Sequence, residues 1–301
     1  MRVLITGATG LIGQALIPAL RREGWEAAAW VRSPDAARRQ LGAGVELFEA
    51  GAGLGALAAA LAHSDAVVNL AGETLLARRW NAARREVLRD SRVGVTQRLV
   101  EAMAAAARPR VLISGSAVGY YGDRGAELLP ETAAPGADFL ARLCQDWESA
   151  AEAAAGLGAR VVRLRCGVVL SRAGGALAQM LPPFRLGLGG PVGDGRQYLS
   201  WIHLDDLVRM VLAALADYRY CAAVNAVAPE PATSRDFARA LGRALHRPAV
   251  LPIPALALRA RFGSAATVVL ASQRAAPQAL RSLGFDYRFP TLDAALADLL
   301  G

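Results

Sequence analysis

The sequence contains no lysine, so apart from three histidines every one of its 34 basic side chains is arginine. This excludes a Schiff-base intermediate and lysine-assisted proton transfer, because a guanidinium keeps its proton at any working pH. Cysteine is scarce as well. Cys144, Cys166 and Cys221 form neither a CxxC pair nor a metal-ligand spacing, which argues against a disulfide framework and a metal site. Buried, reduced thiols in a cytoplasmic protein are expected instead. Long apolar runs are missing too: stretches such as Ala66 to Ala71 and Val208 to Ala216 fall well short of the roughly 20 residues a membrane span needs. Three glycines interrupt Met1 to Leu20, so the start of the chain reads as strand, turn and helix rather than as a secretory leader.

What is present is apolar material. With 54% hydrophobic residues over 301 positions and a mean hydropathy of +0.28, the chain can bury a large core and suits one large or two modest domains. The net charge is +8, but the arginines are scattered beside apolar or acidic neighbours. That pattern describes a solvated surface rather than a nucleic-acid stripe.

The first half alternates short apolar runs with longer helical segments, the rhythm of a parallel sheet covered by helices on both faces. Strands are expected at Val3 to Ile5, Ala27 to Val31, Val45 to Glu49, Ala66 to Leu70, Arg110 to Ser114 and Arg160 to Arg165, with a first helix over Ile12 to Arg22. The fold class is α/β, a doubly wound Rossmann sheet. From Gly174 through Gly195 the pattern breaks into Gly- and Pro-rich loops, followed by a helix near Asp205 to Ala216. The tail holds helices, a Pro-punctuated link at Pro248 to Pro254 and a closing helix start at Pro290. The division expected is 1–170 as a dinucleotide-binding domain, completed by segments within 196–230, and 171–195 with 231–301 as a smaller substrate-binding region.

Gly7, Gly10 and Gly13 stand three apart between the first strand and the first helix. In such a turn the first glycine permits a tight bend, the second lets backbone amides approach a pyrophosphate, and the third allows helix to pack on strand. The helix N-terminus adds its positive dipole end. Thr9, Leu11 and Ile12 complete this cradle. Where an NAD site usually presents an acid to the ribose 2′-hydroxyl, the second strand runs into Arg32 and Ser33. An arginine there pairs with a 2′-phosphate and favours NADP over NAD. The alternative is that Arg32 is a surface residue and Asp35 reaches back. The strand at Ala66 then delivers Ala71 and Gly72 beside the cofactor.

These residues resemble the extended short-chain dehydrogenase/reductase superfamily, and within it the YfcH-type, epimerase-like branch. The resemblance covers nearly the whole chain. It rests on the glycine turn, on Asn69-Leu-Ala-Gly-Glu73 with Arg79-Trp80, on Ser91-Arg92, and on Ser114-Gly-Ser-Ala-Val-Gly-Tyr-Tyr-Gly122. Further along it takes in Arg165-Cys-Gly-Val-Val-Leu170, Gly193-x-Gly195-x-Gln197, Ser200-Trp-Ile-His203, Ser272-Gln-Arg and Gly284-Phe285. It implies an NADP(H)-binding Rossmann fold with a C-terminal substrate region and counts Arg165 among the cofactor-binding residues.

The superfamily's usual chemistry uses a serine with a Tyr-x-x-x-Lys pair, the tyrosine moving a proton while the lysine lowers its pKa. If Glu148 matches the superfamily's glutamate, Leu140 stands in place of the tyrosine and Cys144 in place of the lysine. The pair is missing. Ser116, Tyr120 and Tyr121 remain as catalytic candidates, the tyrosines being either acid/base groups served by a nearby arginine or cleft-wall aromatics. His203 is a candidate general base or a residue capping the helix that follows it. Pro182 to Gln197, with Arg79 and Trp80, is either a lid over a polar ligand or packing for the C-terminal region.

Three functions are in play: an NADP-dependent oxidoreductase or epimerase acting on a polar, sugar-nucleotide-like metabolite, a catalytically silent NADP(H)-binding sensor, and a basic nucleic-acid binder. The third is disfavoured by the scattered charge. A monomer or homodimer is expected.

Overall fold

Along Arg2–Thr6 (β1), Val3 and Ile5 point into one layer of helices and Leu4 into the other, and all three are fully buried. A strand covered on both faces has to be apolar on both, which is why its residues read as a continuous run. The computed structural model describes residues 1–301. Six further strands join β1: Glu26–Val31 (β2), Glu46–Glu49 (β3), Ala66–Asn69 (β4), Val111–Ala117 (β5), Arg160–Cys166 (β6) and Ala222–Ala226 (β7). Every pairing is parallel, in the order β3-β2-β1-β4-β5-β6-β7. The seventh strand forms one edge of the sheet, beside β6. The Rossmann α/β class is thereby established.

Helices Leu11–Arg22 (α1), Pro34–Leu41 (α2), Gly53–Ala62 (α3), Ala82–Arg89 (α4), Val95–Ala106 (α5) and Phe139–Glu152 (α6) precede β6. Leu16, Ile17 and Leu20 of α1 fill the face that carries Val3 and Ile5, while Leu57 and Leu61 of α3 and Leu99 and Met103 of α5 fill the face that carries Leu4. Fully burying a leucine contributes about 1.5–3 kcal/mol, so these layers dominate the sheet's stability. Between α4 and α5 the chain makes a π-type turn at Asp90–Gly94. Such one-residue expansions often mark functional positions.

The segment expected as loops contains a helix, Gly175–Arg185 (α7). Leu177, Leu181 and Phe184 recur at helical spacing and are buried in a second core with Trp201, Phe237, Leu241 and Phe289. That burial outweighs Pro182 and Pro183, which lie in the C-terminal half of the helix and each remove an N–H from its i−4 ladder. The remaining helices of six residues or more are Leu204–Ala216 (α8), packed on α1, then Ser234–Ala244 (α9), Ala255–Phe262 (α10), Gln278–Leu283 (α11) and Leu292–Leu300 (α12). No helix is long and apolar enough to cross a membrane. All three cysteines are unpaired, but only Cys144 is buried: Cys166 is half-buried, and Cys221 is exposed because it precedes the last, edge strand of the sheet.

Candidate active site

The strand order reverses between β1 and β4, so a crevice opens at their carboxyl ends, the switch point where doubly wound sheets bind ligands. Gly7 bends into it with φ +66°, and a methyl group there would sit 2.5 Å from the Leu70 carbonyl oxygen. At Gly13 a methyl would meet Ala8 and the Gly7 carbonyl at 2.6 Å. Both positions therefore require glycine. The Gly10 amide closes the turn on the Gly7 carbonyl at 2.9 Å, and α1 starts with no side chain capping it. Its first amides are left for an anion. A glycine-lined cradle ending in uncapped amides fits a dinucleotide pyrophosphate. Thr9 turns its carbonyl to Gln14, while Leu11 meets the Gly174–Gly175 bend that covers the turn. Thr6 hydrogen-bonds Asn69 at 2.6 Å and receives the Ala71 amide, which fixes the β4 loop against β1.

Arg32 lies at the crevice mouth with its side chain 89% exposed, 3.0 Å from the Glu73 carboxylate. Arg84 approaches the same carboxylate at 3.6 Å. The arginine expected to read a 2′-phosphate is thus already held by an anion from the β4 loop.

Parallel register sets Ser116 beside Arg165 across β5 and β6. The Ser116 hydroxyl donates to Glu148 Oε1 at 2.7 Å, and Arg165 donates to both oxygens of the same carboxylate. Arg165 also donates to the Tyr121 hydroxyl at 3.0 Å and to the Glu131 carbonyl at 2.9 Å. Burial opposes its charge, but Glu148 more than offsets this, so its pKa is raised. With four of its five N–H groups engaged, Arg165 is a buried strut of the site floor rather than a free arm reaching the crevice. Tyr121 is enclosed completely and donates to Asn225 Oδ1 at 2.7 Å. Burial pushes its phenol up, further than Arg165 and Asn225 pull it down. It braces the floor. Tyr120 is half-buried, and the Arg165 guanidinium lies 3.5 Å from its ring centroid. Of the three catalytic candidates, Ser116 and Tyr121 are bound into the network and Tyr120 has its hydroxyl outside it.

On α6, Leu140 and Cys144 are both buried. Burial and the nearby Glu148 carboxylate push the Cys144 thiol up to about 12, so it is a neutral side chain. The cation near it comes from earlier in the chain: Arg92, in the π-type turn between α4 and α5, favours charge on Cys144 and stacks 5.5 Å from the Trp147 ring. Arg92 stands in the Ser91-Arg92 motif without any spacing that points to its role, and Asn225, which ties Tyr121 to the last strand, has no signal in the sequence.

His203 caps α8, its Nδ1 accepting the Asp205 amide at 3.1 Å while Nε2 faces Asp298 at 3.4 Å. Arg79 donates to the Arg261 and Ala260 carbonyls at the end of α10, and Trp80 packs edge-on to Phe139. These two residues fasten the C-terminal region to the β4 loop. Phe184 is buried in the second core. No group of three or more His, Cys, Asp or Glu side chains is placed to hold a metal.

Residues 3–225 match the NAD dependent epimerase/dehydratase family, and residues 253–299 match a domain of unknown function, DUF1731. Among curated proteins, the chain is 44% identical over 295 residues to epimerase family protein Mb2239 of Mycobacterium bovis, covering 98% of this chain and 96% of that one. It is 38% identical over 307 residues to the chloroplastic SDR39U1 homologue of Arabidopsis thaliana, covering 100% of this chain and 87% of the relative. Among solved structures, human epimerase family protein SDR39U1 with NADPH superposes with a TM-score of 0.89 at 37% identity, covering 100% and 99% of the two chains. A nucleoside-diphosphate sugar epimerase from Corynebacterium glutamicum gives 0.78 at 36% identity, covering 100% of this chain and 58% of that one.

Proposed function

Since the chain belongs to the NAD dependent epimerase/dehydratase family, in its atypical extended short-chain dehydrogenase/reductase branch, we propose that it binds NADP(H) at the glycine turn and acts as an oxidoreductase or epimerase on a polar metabolite. The observation that carries this reading is the turn itself: Gly7 and Gly13 have no room for a side chain, and α1 opens uncapped onto the crevice. Gly10, Leu11, Ile12 and Thr9 would hold the pyrophosphate, Ala71 and Gly72 would border the nicotinamide half, and Arg32 would read the 2′-phosphate after leaving Glu73. The human relative named above was solved with NADPH, which agrees with this preference over NAD.

The bound cofactor would supply hydride chemistry. The chain's part is then to orient the substrate and move a proton, and Tyr120 is the group we assign to that step. Arg165 provides a fixed positive charge against its ring, in place of the charge a lysine gives elsewhere in the superfamily. Ser116 would donate to substrate by releasing Glu148. A second reading, a non-catalytic NADP(H) sensor, is favoured by Leu140 and Cys144, which leave α6 without a titratable group near neutral pH at the pair's positions. NADPH oxidation against a panel of carbonyl compounds separates the two. Turnover abolished by Tyr120→Phe supports the first reading, and tight cofactor binding without turnover supports the second.

We further assign the chain to the cytoplasm, as a monomer or homodimer without nucleic-acid partners. Three unpaired cysteines and dispersed arginines are the support. For the domains, 1–170 with parts of 196–230 would bind cofactor, while 171–195 and 231–301 would form the substrate side.

A further inference from the structure

Arg92 is a half-buried cation with no carboxylate partner. Its Nη2 donates to the Glu73 carbonyl at 2.9 Å, and its Nη1 to the Leu88 carbonyl and the Ser91 hydroxyl, both at 3.3 Å. A guanidinium has five N–H groups. Two of them, Nε–H and one on Nη2, find no acceptor in the chain. The nearest acidic group, Glu73, spends its carboxylate on Arg32 and Arg84. Burial lowers the Arg92 pKa, the direction expected of a desolvated charge that lacks a counter-ion.

The position of this charge gives it meaning. A methyl group on Gly72 would sit 3.0 Å from Cζ, 3.1 Å from Nη2 and 3.3 Å from Nε of Arg92, so glycine at 72 makes room for the guanidinium as much as for a cofactor. Gly72 follows Ala71 in the loop at the carboxyl end of β4, beside the crevice. The π-type turn at Asp90–Gly94 carries Arg92, and Cys144, which occupies the lysine's place, lies within its field.

We propose that Arg92 is the anion-binding residue of the substrate site and that the substrate carries a carboxylate. Two unspent donors on adjacent nitrogens match the two oxygens of a carboxylate. The inference rests on the cofactor reading above.

The test is a titration of the NADP⁺-saturated protein with glyoxylate, 2-oxoglutarate, acetone and inorganic phosphate, followed by calorimetry. Wild type should bind the carboxylates and ignore acetone. Arg92→Gln should weaken carboxylate binding at least tenfold while keeping the thermal shift given by NADP⁺ alone, and Arg92→Lys should recover only part of the loss. The proposal is overturned if neither carboxylate binds, if acetone binds equally well, if phosphate alone binds, or if both variants bind carboxylate as wild type does. Loss of the NADP⁺ shift in wild type would instead contradict the cofactor reading on which the proposal rests.

Discussion

Arg165 grips Glu148 through two parallel hydrogen bonds, Nε to Oε1 at 2.8 Å and Nη2 to Oε2 at 2.9 Å, with both side chains 4% exposed. A buried pair of this kind is a poor source of net stability but a costly one to break, because the survivor is left charged and unpaired. Glu148→Gln should therefore destabilise the protein by about 3–5 kcal/mol in urea unfolding. Replacing both partners with apolar residues should recover most of that loss, and a single change that proved neutral would show the pair is not formed.

The two adjacent tyrosines should separate cleanly. Tyr121→Phe strands the Asn225 carbonyl oxygen and one Arg165 donor in the interior, a cost of about 1–3 kcal/mol. Tyr120→Phe should leave thermal stability within about 0.5 kcal/mol, as expected of a site outside the network, yet remove any carbonyl reduction. Equal melting losses for the two would contradict the assignment.

On the proposed reading Arg32 pairs with the 2′-phosphate once it leaves Glu73, so these two residues should set the choice of cofactor. Arg32→Ala should weaken NADP⁺ binding by about 10–100-fold, the range of a charged hydrogen bond, and leave NAD⁺ binding nearly unchanged. Glu73→Gln removes the competitor and should tighten NADP⁺ binding. Fluorescence titration of both variants with both cofactors reads this directly.

The second core should be acid-sensitive. Burial lowers the His203 pKa, outweighing Asp205, Asp298 and Asp206, which raise it, while Arg288 lowers it further. The folded state thus prefers the neutral ring. Its contribution is complete above the unfolded value of about 6.5 and is lost as pH falls from there through the folded value, with a slope of up to about 1.4 kcal/mol per pH unit. His203→Asn, which keeps a capping oxygen, should flatten chemical stability between pH 7 and 5. An unchanged slope would place the effect elsewhere.

Much of the sheet was legible because β1 to β6 are apolar runs punctuated by glycine and separated by helical periodicity. The glycine turn was legible because its spacing between a strand and a helix is local, and Gly10 and Gly13 are constrained by backbone of the turn itself, although Gly7 is also closed in by the distant Leu70 carbonyl. Helix α7 was not, since Pro182 and Pro183 hid a stripe of Leu177, Leu181 and Phe184 whose burial depends on distant partners such as Trp201. The roles within the site escaped for the same reason. Arg165 stands at the strand end where a cofactor arm was expected, but its commitment to Glu148 depends on a helix 17 residues earlier in the chain. Arg92 needed the π-type turn and the Gly72 gap, neither of which is written in residue spacing.

Whether the glycine turn holds a nicotinamide dinucleotide with a 2′-phosphate, as proposed, is read by a thermal-shift comparison of NADP⁺, NADPH, NAD⁺ and NADH. Stabilisation of about 2.7 kcal/mol is expected at a hundredfold excess over the dissociation constant, reached at lower concentrations of NADP⁺ or NADPH than of the other two and abolished by Gly13→Ala. No shift with any of the four would contradict the claim.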